Sequence, residues 1–168
     1  MAGRDKACVV FGIDPGSRTT GYGVVSIEGQ KLSYIASGCI QMTQDLSLND
    51  RLLELYQALK QLLEQYQPDE VVIESIFMHR FPGSALTLGH ARGVAVLALM
   101  EHAGQVHEYA PREVKQAIVG HGNAQKTQVQ HMIKSLLSLS AMPPEDAADA
   151  LALAVCHLHQ RTLKKELA

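Results

Sequence analysis

The chain has 168 residues, a formal net charge of -2, 46% hydrophobic and 19% charged residues, which suits one domain with its own core and excludes a disordered or low-complexity chain. No apolar stretch approaches the ~20 residues that a bilayer-spanning helix needs, and the opening MAGRDKA lacks the apolar core of a signal peptide, so an intracellular, cytoplasmic protein is expected. Cys8, Cys39 and Cys156 are odd in number and sit among apolar residues, which suits reduced thiols better than a disulfide framework.

Cys8 to Asp14 (CVVFGID) reads as an apolar strand that stops on a carboxylate ahead of Pro15 and Gly16. GYGVVSI (21–27) and KLSYIASGCIQM (31–42) follow with short connections, so three meandering antiparallel strands are expected. The period then changes. Leu48, Leu52, Leu55, Leu59 and Leu62 recur every three or four residues, which predicts an amphipathic helix introduced by Ser47 or Asn49 and stopped near Pro68. DEVVIE (69–74) is a fourth strand, again ending on an acid, Glu74. After a loop to Gly83, residues 84–104 read as a helix that is apolar nearly all round. It carries Ala85, Gly89 and Gly93 at intervals of four, a stripe expected to pack closely on another backbone, in the core or across a dimer. QVHEYA (105–110) predicts a fifth strand, 111–120 a helix with Pro111 at its start, 124–139 another, and EDAADALALAVCHLHQ (145–160) a last helix after two prolines. Strands alternating with helices after a meander predict an α/β fold, a mixed five-stranded sheet with helices on both faces.

Charge is unevenly spread. Residues 42–74 hold two basic and seven acidic side chains, while 75–135 hold six basic (Arg80, Arg92, Arg112, Lys115, Lys126, Lys134) and three acidic. Such asymmetry suits a basic, nucleic-acid-binding surface, and equally a solvated charged face. His157 and His159, two apart on a helix, point about 200° apart and cannot share an ion; Cys156 and His159 share a face, but an isolated pair is more often packing than a zinc site.

Sites in such sheets form at the carboxyl ends of parallel strands. Asp14 and Glu74 both end strands, and Asp146 and Asp149, three apart, share one face at the start of the last helix. Asp14 could simply serve its turn, and Asp146 could gain ~0.3–1 kcal/mol from the helix dipole; Glu74 and Asp149 have no such reason to be there. Clustered carboxylates call for a dication, and an all-oxygen set selects Mg²⁺ or Mn²⁺. Two ions ~4 Å apart suit phosphodiester hydrolysis. Lys115 and Lys126 could neutralise charge at the phosphate or be solvated helix lysines. The residues alone also admit the GIDPG turn as half of an actin- or sugar-kinase-type phosphate site, a nuclease for structured RNA, or a non-catalytic DNA-binding dimer whose acids are caps.

GIDPGSRTTGYGVV, VVIE followed by FM, SALTLGHARG, APREVKQAIVGHGNAQKTQVQ and EDAADALALAVCHLH, in order from about residue 8 to 160, together resemble the bacterial RuvC family of Holliday junction resolvases. The resemblance implies a ribonuclease H-like fold, one nuclease domain over residues 1–168, and a homodimer that nicks two symmetric strands of a four-way DNA junction, leaving 5′-phosphate and 3′-hydroxyl ends. It implies Asp14, Glu74, Asp146 and Asp149 as catalytic metal ligands for two Mg²⁺, with Mn²⁺ able to substitute. Lys115 and Lys126 are implied as catalytic, DNA-contacting cations, and Phe77 as an aromatic against bases, with Arg80 beside it as a further DNA contact. Partnership with the RuvA and RuvB branch-migration proteins is implied by family only. The chain departs from the family pattern at Ser75, where Gln is common, and in the loop His79 to Gly83, which lacks the usual Asn.

Overall fold

In a computed structural model, which describes residues 6–75 and 82–166, strands β1 (Cys8–Asp14), β2 (Thr19–Glu28) and β3 (Lys31–Gln41) form the expected meander. Gly29, at φ 63°, makes the tight β2–β3 turn that only a residue tolerant of the left-handed region can make. Helix α1 (Leu48–Tyr66) follows, its first turn capped by Ser47 Oγ accepting from the Asp50 amide at 3.2 Å, so Ser47 rather than Asn49 starts it. Then come β4 (Glu70–Glu74), α2 (Pro82–Ala103), β5 (His107–Tyr109), α3 (Pro111–Val119), α4 (Lys126–Leu136) and α5 (Glu145–Glu166). The sheet order is β3-β2-β1-β4-β5, with β1, β4 and β5 parallel.

Alternation along the strands divides the core into two layers. Val10 and Val72 face α3, α4 and α5, whereas Phe11, Ile13, Val71 and Ile73 face α1 and α2. Helix α5 is buried on nearly every side from Ala147 to Leu158 because it lies directly on the sheet. Glycines make that approach possible: a Cβ at Gly12 would stand 2.3 Å from the Ala150 carbonyl oxygen, and one at Gly21 2.0 Å from that of Asp146.

Several boundaries change. Strand β2 starts at Thr19, α2 starts at Pro82 rather than Ser84, β5 shortens from 105–110 to His107–Tyr109, α4 from 124–139 to Lys126–Leu136, and α5 runs to Glu166 rather than stopping at Gln160. Among the described residues, the Gly89 and Gly93 stripe packs on no backbone: nothing there lies within 4 Å of a Cβ at either position. It lies instead on an outward face of α2, with Leu86, Leu97 and Met100 64%, 55% and 43% exposed. Among the described residues, no helix is long and apolar enough to cross a membrane.

Candidate active site

Parallel pairing sets Ile13 of β1 opposite Ile73 of β4, so the next residue of each strand, Asp14 and Glu74, ends side by side at the carboxyl edge. Asp14 alternates with Val10 and Glu74 with Val72, which turns both carboxylates toward α5. Two contacts fix these strand ends. The Gly16 amide donates to the buried Thr20 hydroxyl at 3.3 Å, closing the turn after Asp14, and Arg92 Nε donates to the Glu74 carbonyl at 3.3 Å while its Nη2 donates to Glu108 at 2.6 Å.

The start of α5 lies over this edge because Gly21, the β2 partner of Asp14, admits the Asp146 backbone so closely. Asp14, Glu74 and Asp149 line one cleft of about 250 Å³ together with Lys115 of α3, Lys126 at the start of α4, and the apolar wall of Pro111, Val114, Val129 and Leu153. Asp146 is not among the residues that line this cleft, but its charge acts on Asp14. Lys126 is held by an ion pair to Glu145.

The electrostatics follow from crowding acids where water is scarce. Burial first, then the charges of Glu74, Asp149 and Asp146, push Asp14 up to about 8, with Lys126 opposing. Burial raises Asp149 to about 6, against the pull of Lys126 and Lys115. Glu74 is raised by burial and by Asp149, again against both lysines. Carboxylates that resist ionising side by side, with oxygen as their only donor, form a set that fits a hard divalent cation.

The fold therefore brings five of the residues singled out in sequence into one cleft, Asp14, Glu74, Asp149, Lys115 and Lys126, with Asp146 outside its lining but within electrostatic reach of Asp14. Phe77 and Arg80, with most of the His79 to Gly83 loop, lie outside the described residues; Gly83 itself is in α2. Two neighbours escaped the sequence reading. Glu145, beside Asp146, reads only as another acid near a helix start, and Arg92 reads only as one of six basic residues.

Comparison with known proteins now decides the family. The model of the family "Crossover junction endodeoxyribonuclease RuvC" matches residues 10–157. This chain belongs to the RuvC family. Relatives named crossover junction endodeoxyribonuclease RuvC include one from Hahella chejuensis, 57% identical over 150 residues, covering 89% of this chain and 87% of that one. Another, from Legionella pneumophila (strain Paris), is 52% identical over 153 residues, covering 91% of this chain and 88% of the relative. Among solved structures, Thermus thermophilus RuvC in complex with Holliday junction substrate superposes with a TM-score of 0.87 at 32% identity, covering 94% of this chain and 96% of that one. The mixed sheet with its helices is thus the ribonuclease H-like fold of RuvC proteins.

Proposed function

We propose that this chain is a metal-dependent endonuclease that resolves Holliday junctions by symmetric paired nicks in four-way DNA during recombination and repair. The observation that carries this reading is the meeting of Asp14, Glu74, Asp149, Lys115 and Lys126 in one cleft of a RuvC-family fold. One nuclease domain accounts for residues 1–168, its core about 8–160.

Asp14, Glu74, Asp146 and Asp149 would hold two Mg²⁺, or Mn²⁺ in their place, which supply an activated water and charge compensation for the leaving oxygen. Water adds to phosphorus and the bond to the 3′ oxygen breaks; that oxygen leaves as a 3′-hydroxyl, and the phosphate stays on the 5′ end. Lys115 and Lys126 face the same space and stabilise charge that grows on the phosphate oxygens. Glu145 keeps Lys126 in that position through its ion pair. Thr20 and Arg92 act earlier in the causal chain, since they hold the turn and the strand end from which Asp14 and Glu74 project.

Phe77 and Arg80 follow Glu74 by three and six residues in the chain, and we read them as DNA contacts, the ring stacking on a base opened at the crossover. Two symmetric nicks need two such sites. The exposed apolar stripe of α2, Leu86, Gly89, Gly93, Leu97 and Met100, supports a homodimer through this face, with the glycines admitting the partner helix closely. A cytoplasmic location and association with RuvA and RuvB complete the reading on family membership alone.

The test is incubation with a mobile four-way junction and with linear duplex, each with Mg²⁺ or with chelator. Paired nicks at symmetric positions in the junction alone, dependent on metal, are expected; cleavage indifferent to metal, or equal on duplex, overturns the reading.

A further inference from the structure

Glu70, His107 and His157 come from β4, β5 and α5 and meet at the opposite end of the seam where α5 crosses the sheet. A carboxylate oxygen and one ring nitrogen from each histidine all lie within 4.8 Å of one another, and among the described residues no other group of three potential ligands does so. Strand geometry explains the meeting. Glu70, Val72 and Glu74 alternate onto the α5 side of β4, and His107 sits beside Val72 on β5. On α5, Asp149, Leu153, His157 and Arg161 recur every four residues and form one stripe along the same seam. The acid cluster thus occupies one end of the stripe and the histidines the other, about 12 Å apart along the helix axis, eight residues at ~1.5 Å each.

The surroundings are built rather than incidental. His157 is only 6% exposed in its side chain and bonds through both ring nitrogens, Nε2 to Glu70 and Nδ1 to the Tyr109 hydroxyl at 2.8 Å. Arg161 Nε donates to the other Glu70 oxygen at 2.9 Å, leaving one oxygen facing the rings. The His107 ring lies 4.4 Å from that of His157, centroid to centroid. Glu70 keeps 26% of its side chain exposed, which gives an ion a way in. The Tyr109 hydroxyl can donate to Nδ1 or accept from it, so it suits either tautomer of His157, including the one in which Nε2 is free for a metal.

We propose that Glu70, His107 and His157 form a second metal site, for zinc or a similar borderline-soft dication, distinct from the all-oxygen acid cluster. Two imidazoles and one carboxylate with a fourth position open to water form a zinc-type donor set that disfavours Mg²⁺. Tyr109 and Arg161 supply the outer hydrogen bonds that orient His157 and Glu70. Bound there, the ion ties the three-residue strand β5 and the start of β4 to α5, and so holds the whole stripe in register over the sheet.

The full-length chain carrying Asp14→Asn and Asp149→Asn, which weakens the acid cluster as a competing site, is titrated calorimetrically with Zn²⁺ and with Mg²⁺. One Zn²⁺ per chain is expected, with no Mg²⁺ binding at this site and a rise in melting temperature of about 5 °C or more at saturation. Adding His107→Ala abolishes that binding and Tyr109→Phe weakens it by ~10–100-fold. Should His107→Ala impair folding, Co²⁺ loaded into the unmodified protein gives the independent reading, because a tetrahedral nitrogen and oxygen site absorbs strongly in the visible and an octahedral oxygen site does not. Absence of saturable Zn²⁺ binding, binding that survives His107→Ala, or a purely octahedral Co²⁺ spectrum overturns the proposal.

Discussion

Asp14 and Glu74 end neighbouring parallel strands one step beyond the paired Ile13 and Ile73, and after burial the charge of Glu74 is the largest influence pushing Asp14 up to about 8. The sheet register therefore creates an electrostatic conflict at its carboxyl edge, and the site depends on how that conflict is relieved.

Replacing Asp14 tests both sides of this conflict. In Asp14→Asn, junction cleavage falls by ~10³-fold or more, the several kcal/mol a metal ligand supplies, while junction binding persists in a gel-shift assay. Retained turnover would sink the metal role.

The same variant has a pH signature without metal. The Asp14 carboxyl lies at 3.8 ordinarily and about 8 in the fold, so the folded state holds its proton more tightly than the unfolded chain does. The unmodified protein in chelator should lose stability as pH climbs from about 4 to about 8, whereas Asp14→Asn lacks this loss. Thermal melts at pH 5 and pH 8.5 should show the variant's advantage growing with pH; an equal gap at both would contradict the burial of Asp14.

Lys126 and Glu145 should separate by size of effect. Lys126→Ala removes a cation from the cleft and should cut the single-turnover rate by ~10²-fold. Glu145→Gln only releases that cation from its ion pair, and a loss under tenfold is expected because the pair is solvent-exposed.

Glycine substitutions distinguish inner from outer packing. Gly21→Ala drives a methyl into the Asp146 backbone, 2.0 Å away, and should cost ~1–3 kcal/mol by urea unfolding together with most activity. Gly93→Ala meets nothing within 4 Å among the described residues; helix propensity alone would stabilise it by ~1 kcal/mol.

Leu97 tests the outer face of α2 directly. With this side chain 55% exposed, Leu97→Glu should leave the fold intact by circular dichroism yet shift sedimentation from dimer to monomer. An unchanged dimer would move the interface elsewhere.

Much of this was legible in the chain. Short apolar runs ending in turn residues marked the strands, and the leucine spacing of residues 48–62, the all-round apolar stretch 84–104 and the prolines at 111, 143 and 144 marked helices, because each element must bury apolar side chains in a pattern its own backbone sets. Two strands ending on acids, Asp14 at a turn and Glu74 without local reason, and two acids on the Ala-rich face of the last helix, pointed to one edge of the sheet. Motif order extended that to the RuvC family.

What sequence could not decide is what depends on which surfaces meet. The stripe of Gly89 and Gly93 was open to packing in the core or across a dimer, and only the structure turns it outward; nor did anything in the sequence mark Gly12 and Gly21 as the glycines on which the backbone of α5 rests. His157 was weighed only against His159, two residues away. Its actual companions, Glu70 and His107, are 87 and 50 residues away, joined only by the parallel register of β4 and β5 beneath α5. Local rhythm follows from the backbone and the need to bury apolar side chains, so one chain read alone determines it. Convergence of distant side chains follows from the register and crossing of packed elements, and that only the tertiary structure decides.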